Sequence, residues 1–425
     1  MNKKGTLAIV AAFFLIFVIS MIGCSSDDNQ TVTFESGPRV GMVTAADAIV
    51  SWDTVSAAQG MTVGYRIKGE NEFTAKVVTS KNTTRHSVTL TNLKPGTVYE
   101  YQVAGHPTTG SFRTSSPDTT KFVFVSMADN RGLSDKDDII SLPATFKAII
   151  ADAVKRNPVF AVNAGDLFYG KNPDRDTFKK LYTSFKNAIQ PLALNTPYYI
   201  SPGNHEMSPF THNNDKPGFD PVALFNEEFP QPGPLKGYEG FVYSWDYGKV
   251  HFVSIATNHF DEKVTTPKHA MYHISDAQIT WLDTDLQKAR DNGAQFIIVF
   301  GHSNAFVGTG GDWAKADSDV GDLNNTDPIQ RDKFWAVLAK HNTDAYVCGH
   351  RHFSDDSIVK DGVVQWMNGD SGSVVATNPK DTPSSNRYTV WTVDGATITA
   401  ALVDSTGATV KTRIFPKKSL LTDRF

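Results

Sequence analysis

The chain has 425 residues, 41 Lys and Arg against 45 Asp and Glu, a formal net charge of -4, and 2 cysteines. That length suggests two or three domains, and 40% hydrophobic residues supply a sizeable core. The small charge and the absence of a long basic run argue against nucleic acid as an electrostatic partner, and two cysteines exclude a disulfide scaffold.

Lys3 and Lys4 precede an apolar stretch from Leu7 to Ile22, too short for a membrane span and flanked as a secretory signal is. It ends in Met21-Ile22-Gly23-Cys24 and passes into the polar run Ser25 to Gln30. This resembles a bacterial lipoprotein signal over residues 1–23, with Cys24 as the lipidated N-terminus; the alternative is an ordinary signal peptide that ends near a cysteine. Residues 24–36 then read as a tether. The resemblance implies an exported protein anchored to a membrane through lipid on Cys24, periplasmic or at the cell surface, or else secreted. Cys348 remains as a lone thiol on a predicted buried strand.

Residues 37–117 read as short strands separated by turns. Ala48–Trp52, Met61–Ile67, Ala75–Val78, His86–Leu90 and Tyr99–Val103 are rich in β-branched and aromatic residues and partly alternate apolar with polar, which predicts an all-β sandwich. The run Leu93-Lys94-Pro95-Gly96-Thr97-Val98-Tyr99 resembles the tyrosine corner of fibronectin type III domains, and Trp52 fits such a core. Nothing on these strands suggests catalysis, so the sandwich reads as a spacer or packing partner.

From residue 118 to 425 the pattern becomes strand, loop, helix. Phe122–Ser126, Val159–Asn163, Tyr198–Ser201, Val250–Ala256, Phe296–Phe300 and Ala345–Val347 are nearly uninterrupted apolar runs, as strands covered on both faces should be. Helices are predicted over Asp176–Leu192, from the capping box Ser275-Asp276-Ala277-Gln278 to about Arg290, and from Pro328 to about His341. This predicts a layered α/β domain, with the tail Tyr388–Phe415 completing a sheet edge.

Polar residues fall in a pattern along this second domain. Ala128-Asp129-Asn130, Gly165-Asp166-Leu167-Phe168-Tyr169, Gly203-Asn204-His205-Glu206, Gly301-His302 and Gly349-His350-Arg351-His352 each follow a predicted strand. Turns at successive strand ends share one sheet edge, where open α/β sheets bind ligands. Three imidazoles, two carboxylates, an amide oxygen and a phenol are hard and borderline donors suited to iron, manganese or zinc. Seven ligands exceed what one ion takes from protein, so two ions sharing a carboxylate is the economical reading, and paired ions suit phosphate ester hydrolysis.

The last four blocks resemble those of the calcineurin-like metallophosphoesterases, and Tyr169, three residues after Asp166, matches the purple acid phosphatase branch. The resemblance implies a four-layer αββα metallophosphoesterase sandwich preceded by an all-β fibronectin type III-like sandwich. It implies that Asp129, Tyr169 and His352 bind one ion, expected to be ferric iron. Asn204, His302 and His350 bind a second, divalent ion (Fe, Zn or Mn), and Asp166 bridges the two. The implied reaction is attack on phosphorus by hydroxide generated on the metal pair, in an acid phosphatase acting on monoesters. His205 is the candidate proton donor or phosphate contact, and Glu206 is expected to orient a neighbouring imidazole.

Two departures from the family pattern stand out. Arg131 follows Asp129 where the family has glycine, and is placed to reach a substrate phosphate; Gly310-Gly311-Asp312 stands where the family tends to have a histidine pair. His212, His251, His259, His269 and His273 read as surface or structural. The segments Pro209–Gly240 and Asp312–Asp327 are the candidate pocket walls. A phosphodiesterase or nucleotide hydrolase on the same metal core, and a non-catalytic surface-binding lipoprotein, are the alternative functions.

Overall fold

A computed structural model describes residues 32–77, 82–131, 141–170, 174–207, 218–258, 272–307, 323, 327–373 and 386–418. The signal stretch with Cys24, His212, His259, His269, Gly310 to Asp312, residues 209–217 of the first predicted pocket wall and nearly all of the second lie outside the described residues. Among the described residues no helix is long and apolar enough to cross a membrane.

Seven strands come first: β1 (Phe34–Val43), β2 (Ala48–Ala58), β3 (Thr62–Ile67), β4 (Thr74–Val77), β5 (Thr83–Leu90), β6 (Val98–Val103) and β7 (Gly110–Arg113). They form antiparallel sheets of order β1-β2-β5 and β4-β3-β6-β7. Trp52 and Tyr101 are fully buried between them, and the Tyr99 hydroxyl accepts from the Lys94 N–H at 2.8 Å, closing the expected corner. The alternation missed β1, which begins ahead of residue 37, because its Gly37-Pro38 interrupts the pattern. Gly37 has φ +84, and a Cβ there would lie 2.9 Å from Trp52 Cα, so the close strand approach needs glycine.

The remaining elements are β8 (Lys121–Met127), α1 (Ala144–Lys155), β9 (Ala161–Asn163), α2 (Arg175–Ala193), β10 (Tyr198–Ile200), α3 (Asn204–Met207), α4 (Pro221–Glu228), β11 (Tyr243–Tyr247), β12 (Val250–Ser254), α5 (Asp276–Asp291), β13 (Phe296–Phe300), α6 (Pro328–Lys340), β14 (Ala345–Cys348), β15 (Ser354–Asp355), β16 (Val359–Lys360), β17 (Val363–Asn368), β18 (Arg387–Asp394), β19 (Thr397–Asp404) and β20 (Thr409–Pro416). One sheet has the order β10-β9-β8-β18-β19-β20 and the other β11-β12-β13-β14-β17-β15, with β16 also on β17. Neighbours β8, β9 and β10 are parallel, as are β12, β13, β14 and β17.

Strand alternation produces the layers. Phe296, Ile298 and Phe300 face a core shared with Phe124 and Trp391 of the other sheet, while Ile297 and Val299 join the core that includes Leu282, Leu286 and Phe334 of the covering helices. Phe124 and Trp391 stack with ring centroids 5.5 Å apart, binding the first sheet's centre to its C-terminal half. The result is the αββα order. The tail completes the sheet edge with three strands, β18 beside β8 at the centre, then β19, then β20 at the edge. One local expectation is corrected. Ser275 caps Gln278 N–H, but the Gln278 side chain does not return the bond; it pairs with Ala256 N and O, both at 3.0 Å, so burial against β12 outcompetes the capping box.

The sandwich is fixed to the α/β domain through buried charge. Asp53 accepts from Arg39 at 3.0 Å and from Lys186 of α2 at 3.1 Å, Lys186 also pairs with Glu228 of α4, and Arg85 reaches Glu228 at 3.0 Å. Burial alone raises the Asp53 carboxyl, but Arg39, Lys186 and Arg85 outweigh it and hold the group well below the carboxylate range. Tyr101 donates to Leu194 O at 2.9 Å, and the Tyr199 hydroxyl bonds both N and O of Val43. The sandwich is therefore a packing partner and not a free spacer.

Candidate metal centre

The chain leaves β8 into Asp129, β9 into Asp166 and Tyr169, β10 into Asn204 and His205, β13 into His302, and β14 into His350 and His352. Because these strands run parallel within each sheet, their exits share one edge. The exits turn sharply: Asp129, Asp166, His350 and His352 have φ of 55, 54, 73 and 32, a region non-glycine residues seldom occupy. Asp129 N–H donates to Gly165 O and Asn130 N–H to Asp166 O, so the first two turns brace each other. A Cβ at Gly203 would collide with Asp166 Oδ1, and one at Gly349 with Asp129 Oδ2, which explains the glycine that opens each of these blocks.

Two groups of ligand atoms result. Asp166, His302 and His350 offer atoms within 4.8 Å of one another, as do Asp129, Asp166 and His352. Asp166 belongs to both. Asn204 Oδ1 joins the first group, 3.2 Å from His302 Nε2 and 3.1 Å from His350 Nδ1. His302 Nδ1 donates to Ala164 O at 2.8 Å, so in the neutral ring the lone pair is on Nε2, which faces Asn204 Oδ1 and Asp166 Oδ1, both at 3.2 Å. Acceptors converging on acceptors need a positive charge between them, a proton on the ring or a metal ion. The second group shows the same need: Asp129 Oδ1 is buried with no hydrogen-bond partner among the described residues, 3.4 Å from His352 Nε2. The donor set thus fits a pair of cations.

Electrostatics agree. Burial raises Asp129, reinforced by the nearby Asp166 charge, so its anion is short of positive partners. Burial pushes His302 down, but Asp166 and Asp129 reverse this and raise it to about 9. Burial, with Arg131 adding to it, lowers His352 to about 3 and leaves a neutral ring ready to ligate.

Tyr169 is buried at this edge, its ring centroid 5.3 Å from that of His205, with the Arg131 guanidinium carbon 5.1 Å from its centroid. Arg131 Nη2 lies 2.8 Å from His352 Nε2. His205 Nδ1 accepts from Gly170 N–H at 3.1 Å, so the neutral ring carries its proton on Nε2, 3.7 Å from Asp166 Oδ2. Burial lowers His205 to about 3, which favours the neutral ring with its Nε2–H as the donor. Glu206 does not orient an imidazole. Its carboxylate accepts from the N–H groups of Asp166, Leu167 and Gly203 at 3.0, 2.9 and 2.8 Å, binding two ligand turns together.

Sequence reasoning missed further supports. Thr257 Oγ1 accepts from His302 N–H at 3.0 Å, Ser373 donates to Asp129 O at 2.9 Å, and the Tyr272 ring lies 5.3 Å from that of His350. Thr257 follows the strand predicted over Val250–Ala256, and the rule that found the ligands would have found it; Ser373 lies beyond β17, a strand that rule did not start from. The remaining described histidines are structural: His251 lies between Asp246 and Asp285, and His273 bonds Asp327. Cys348 is fully buried, and burial pushes its thiol well up.

Comparison with known proteins identifies the class. A family model described as calcineurin-like phosphoesterase matches residues 138–354, more than half of the chain, which therefore belongs to that family. Residues 38–122 match the purple acid phosphatase N-terminal domain. Among relatives, mouse and human acid phosphatase type 7 are 28% and 29% identical over 224 and 222 residues, 51% of this chain but 44% of theirs, so the match spans under half of their length. Probable purple acid phosphatase 20 of Arabidopsis thaliana is 22% identical over 82% of this chain and 77% of its own. The solved structure of PhoD superposes with a TM-score of 0.63 over 93% of this chain and 95% of that one, at 11% identity, a likeness of fold.

Proposed function

We propose that the chain is a binuclear metal acid phosphatase that hydrolyses phosphate monoesters, exported and held at a membrane through lipid on Cys24. The observation that carries the catalytic reading is the carboxylate of Asp166, common to both ligand groups. Asp129, Tyr169 and His352 would hold one ion, expected to be ferric iron, and Asn204, His302 and His350 would hold a divalent partner, Fe, Zn or Mn, with Asp166 contributing to both groups. When bound, such a pair supplies an activated water and stabilises the charge that develops in displacement at phosphorus. Arg131, its planar fork 14% exposed at this edge, binds phosphate oxygens. His205 presents its Nε2–H to a phosphate or leaving oxygen, and the Gly170 N–H keeps that proton on the correct nitrogen.

Rates on an aryl phosphomonoester and diester over a pH series test the reaction, with the monoester expected to be faster and the optimum acidic. A diester preference overturns the monoester reading. Absence of activity together with absence of bound iron, manganese or zinc after metal addition returns the chain to a surface-binding role. The ferric assignment predicts a visible charge-transfer band that Tyr169→Phe removes; an active but colourless wild type overturns it. The anchor rests on Leu7 to Ile22, Gly23 and Cys24. Cys24→Ala is expected to move the protein from the membrane fraction to the soluble one, and an unchanged distribution overturns the anchor.

A further inference from the structure

We propose that the loop leaving β17, Gly369 to Ser373, clamps the Asp129 and His352 half of the ligand cluster, and that Asp370 is the positioning residue of this clamp. The proposal rests on the two-cation reading above.

Both ligands of that half sit in strained turns. Asp129 has φ 55 and His352 has φ 32, and such conformations persist only where the surroundings over-determine them. One loop does so for both. Ser371 N–H donates to Ala128 O at 3.1 Å, and its Oγ accepts from Ala128 N–H at 3.2 Å. Ser373 donates to Asp129 O through N–H at 3.0 Å and through Oγ at 2.9 Å. These bonds hold the Asp129 turn. At the other end of the loop, Gly369 N–H donates to Phe353 O at 3.2 Å, and Ser354 Oγ donates to Asp370 Oδ1 at 2.6 Å. These hold the chain directly after His352. A Cβ at Gly369 would stand 3.1 Å from both Asp129 Oδ2 and His352 N, so the loop passes within contact of both ligands.

Asp370 joins the clamp to the sheet. Its Oδ2 accepts from Arg387 Nη1 at 3.4 Å, and its backbone O accepts from Arg387 N–H at 3.1 Å, at the first residue of β18. Burial pushes the carboxyl up to about 7, ahead of the opposing pull of Ser354, Arg387 and Asn368, so its charge is kept against a desolvation penalty. What the carboxylate contributes is placement. With Oδ2 on β18 and Oδ1 on Ser354, it fixes the exit from His352, whose Nε2 lies 3.4 Å from Asp129 Oδ1.

The test is calorimetric titration of the metal-stripped full chain with Mn2+ and, separately, with Zn2+, with bound metal counted by elemental analysis. Ser354→Ala and Asp370→Ala are each expected to weaken one of the two bound ions by about tenfold or more, the usual effect of removing a group that orients a metal ligand. The double variant weakens it no further, because both changes remove the same link. Ser354→Thr keeps the hydroxyl and binds as the wild type does. Two backgrounds identify the half affected: Ser354→Ala weakens the ion that remains in Asn204→Ala by the same factor and leaves the ion that remains in Asp129→Asn unchanged. Equal weakening in the two backgrounds, no weakening in Asn204→Ala, or a threonine variant that binds as poorly as the alanine one overturns the positioning role while leaving the two-cation reading intact. A wild type that holds fewer than two ions per chain with both metals overturns that reading, and this proposal with it.

Discussion

Asp166→Asn is expected to abolish phosphatase activity, lowering kcat by about 1,000-fold or more, and to release both ions at once. The magnitude follows from the several kcal/mol that a metal pair contributes to an in-line displacement, at about 1.4 kcal/mol per tenfold in rate. Asparagine tolerates the positive φ of this position, so the turn survives and the loss reports on the carboxylate. The discriminating comparison is Asp129→Asn. Asp129 belongs to one ligand group and Asp166 to both, so the Asp129 variant should keep one equivalent of metal while the Asp166 variant keeps none. Elemental analysis after gel filtration reads this directly. Equal retention in the two variants would sink the bridging role.

Lys186→Met is expected to destabilise the protein by about 3–5 kcal/mol, the usual cost of removing one partner from a buried ion pair. Lys186 is fully buried and pairs with Asp53 across the boundary between sandwich and α/β domain and with Glu228 of α4. Its loss leaves two carboxylates sharing Arg39 and Arg85. The network also sets a pH dependence. Asp53 is depressed in the folded state, so its contribution is fully present above the ordinary aspartate pKa of about 4 and is lost as pH falls below it. Urea denaturation midpoints from pH 7 to pH 3 should therefore fall more steeply in the wild type than in Asp53→Asn. Parallel slopes would show that the cluster titrates elsewhere.

The sequence carried the ligands well because each occupies a position that periodicity exposes. A strand buried on both faces has no polar side chains, so the first Asp, Asn or His after it stands out. The same reasoning placed β13 at its observed bounds and α2 within a residue at each end. It failed where no periodicity existed to read. Gly37 and Pro38 disguised β1, and Gln365 interrupts the apolar run of β17, whose exit supplies Ser373. Arg131 was seen as a phosphate contact, but its bond to His352 joins residues 221 positions apart, a pairing that only the folded topology creates. Likewise, Gln278 matched a local capping motif, yet the tertiary alternative at Ala256 won because it satisfies two buried backbone groups instead of one.

The position of β18 next to β8 has a consequence for the history of each molecule. Asp129 leaves β8, the first strand of its sheet to be synthesised, yet β8 lacks one neighbour until residues 387–394 have been made. Ser373, which holds the Asp129 turn from the other side, also comes late in the chain. Contacts spanning some 250 residues form slowly, after local structure. A growing chain therefore cannot present the assembled cluster until β18 and the segment carrying Ser373 have been made. A cation that filled the cluster would then meet it where those last contacts form, so the place of folding as well as the ligands would bear on which cation it takes.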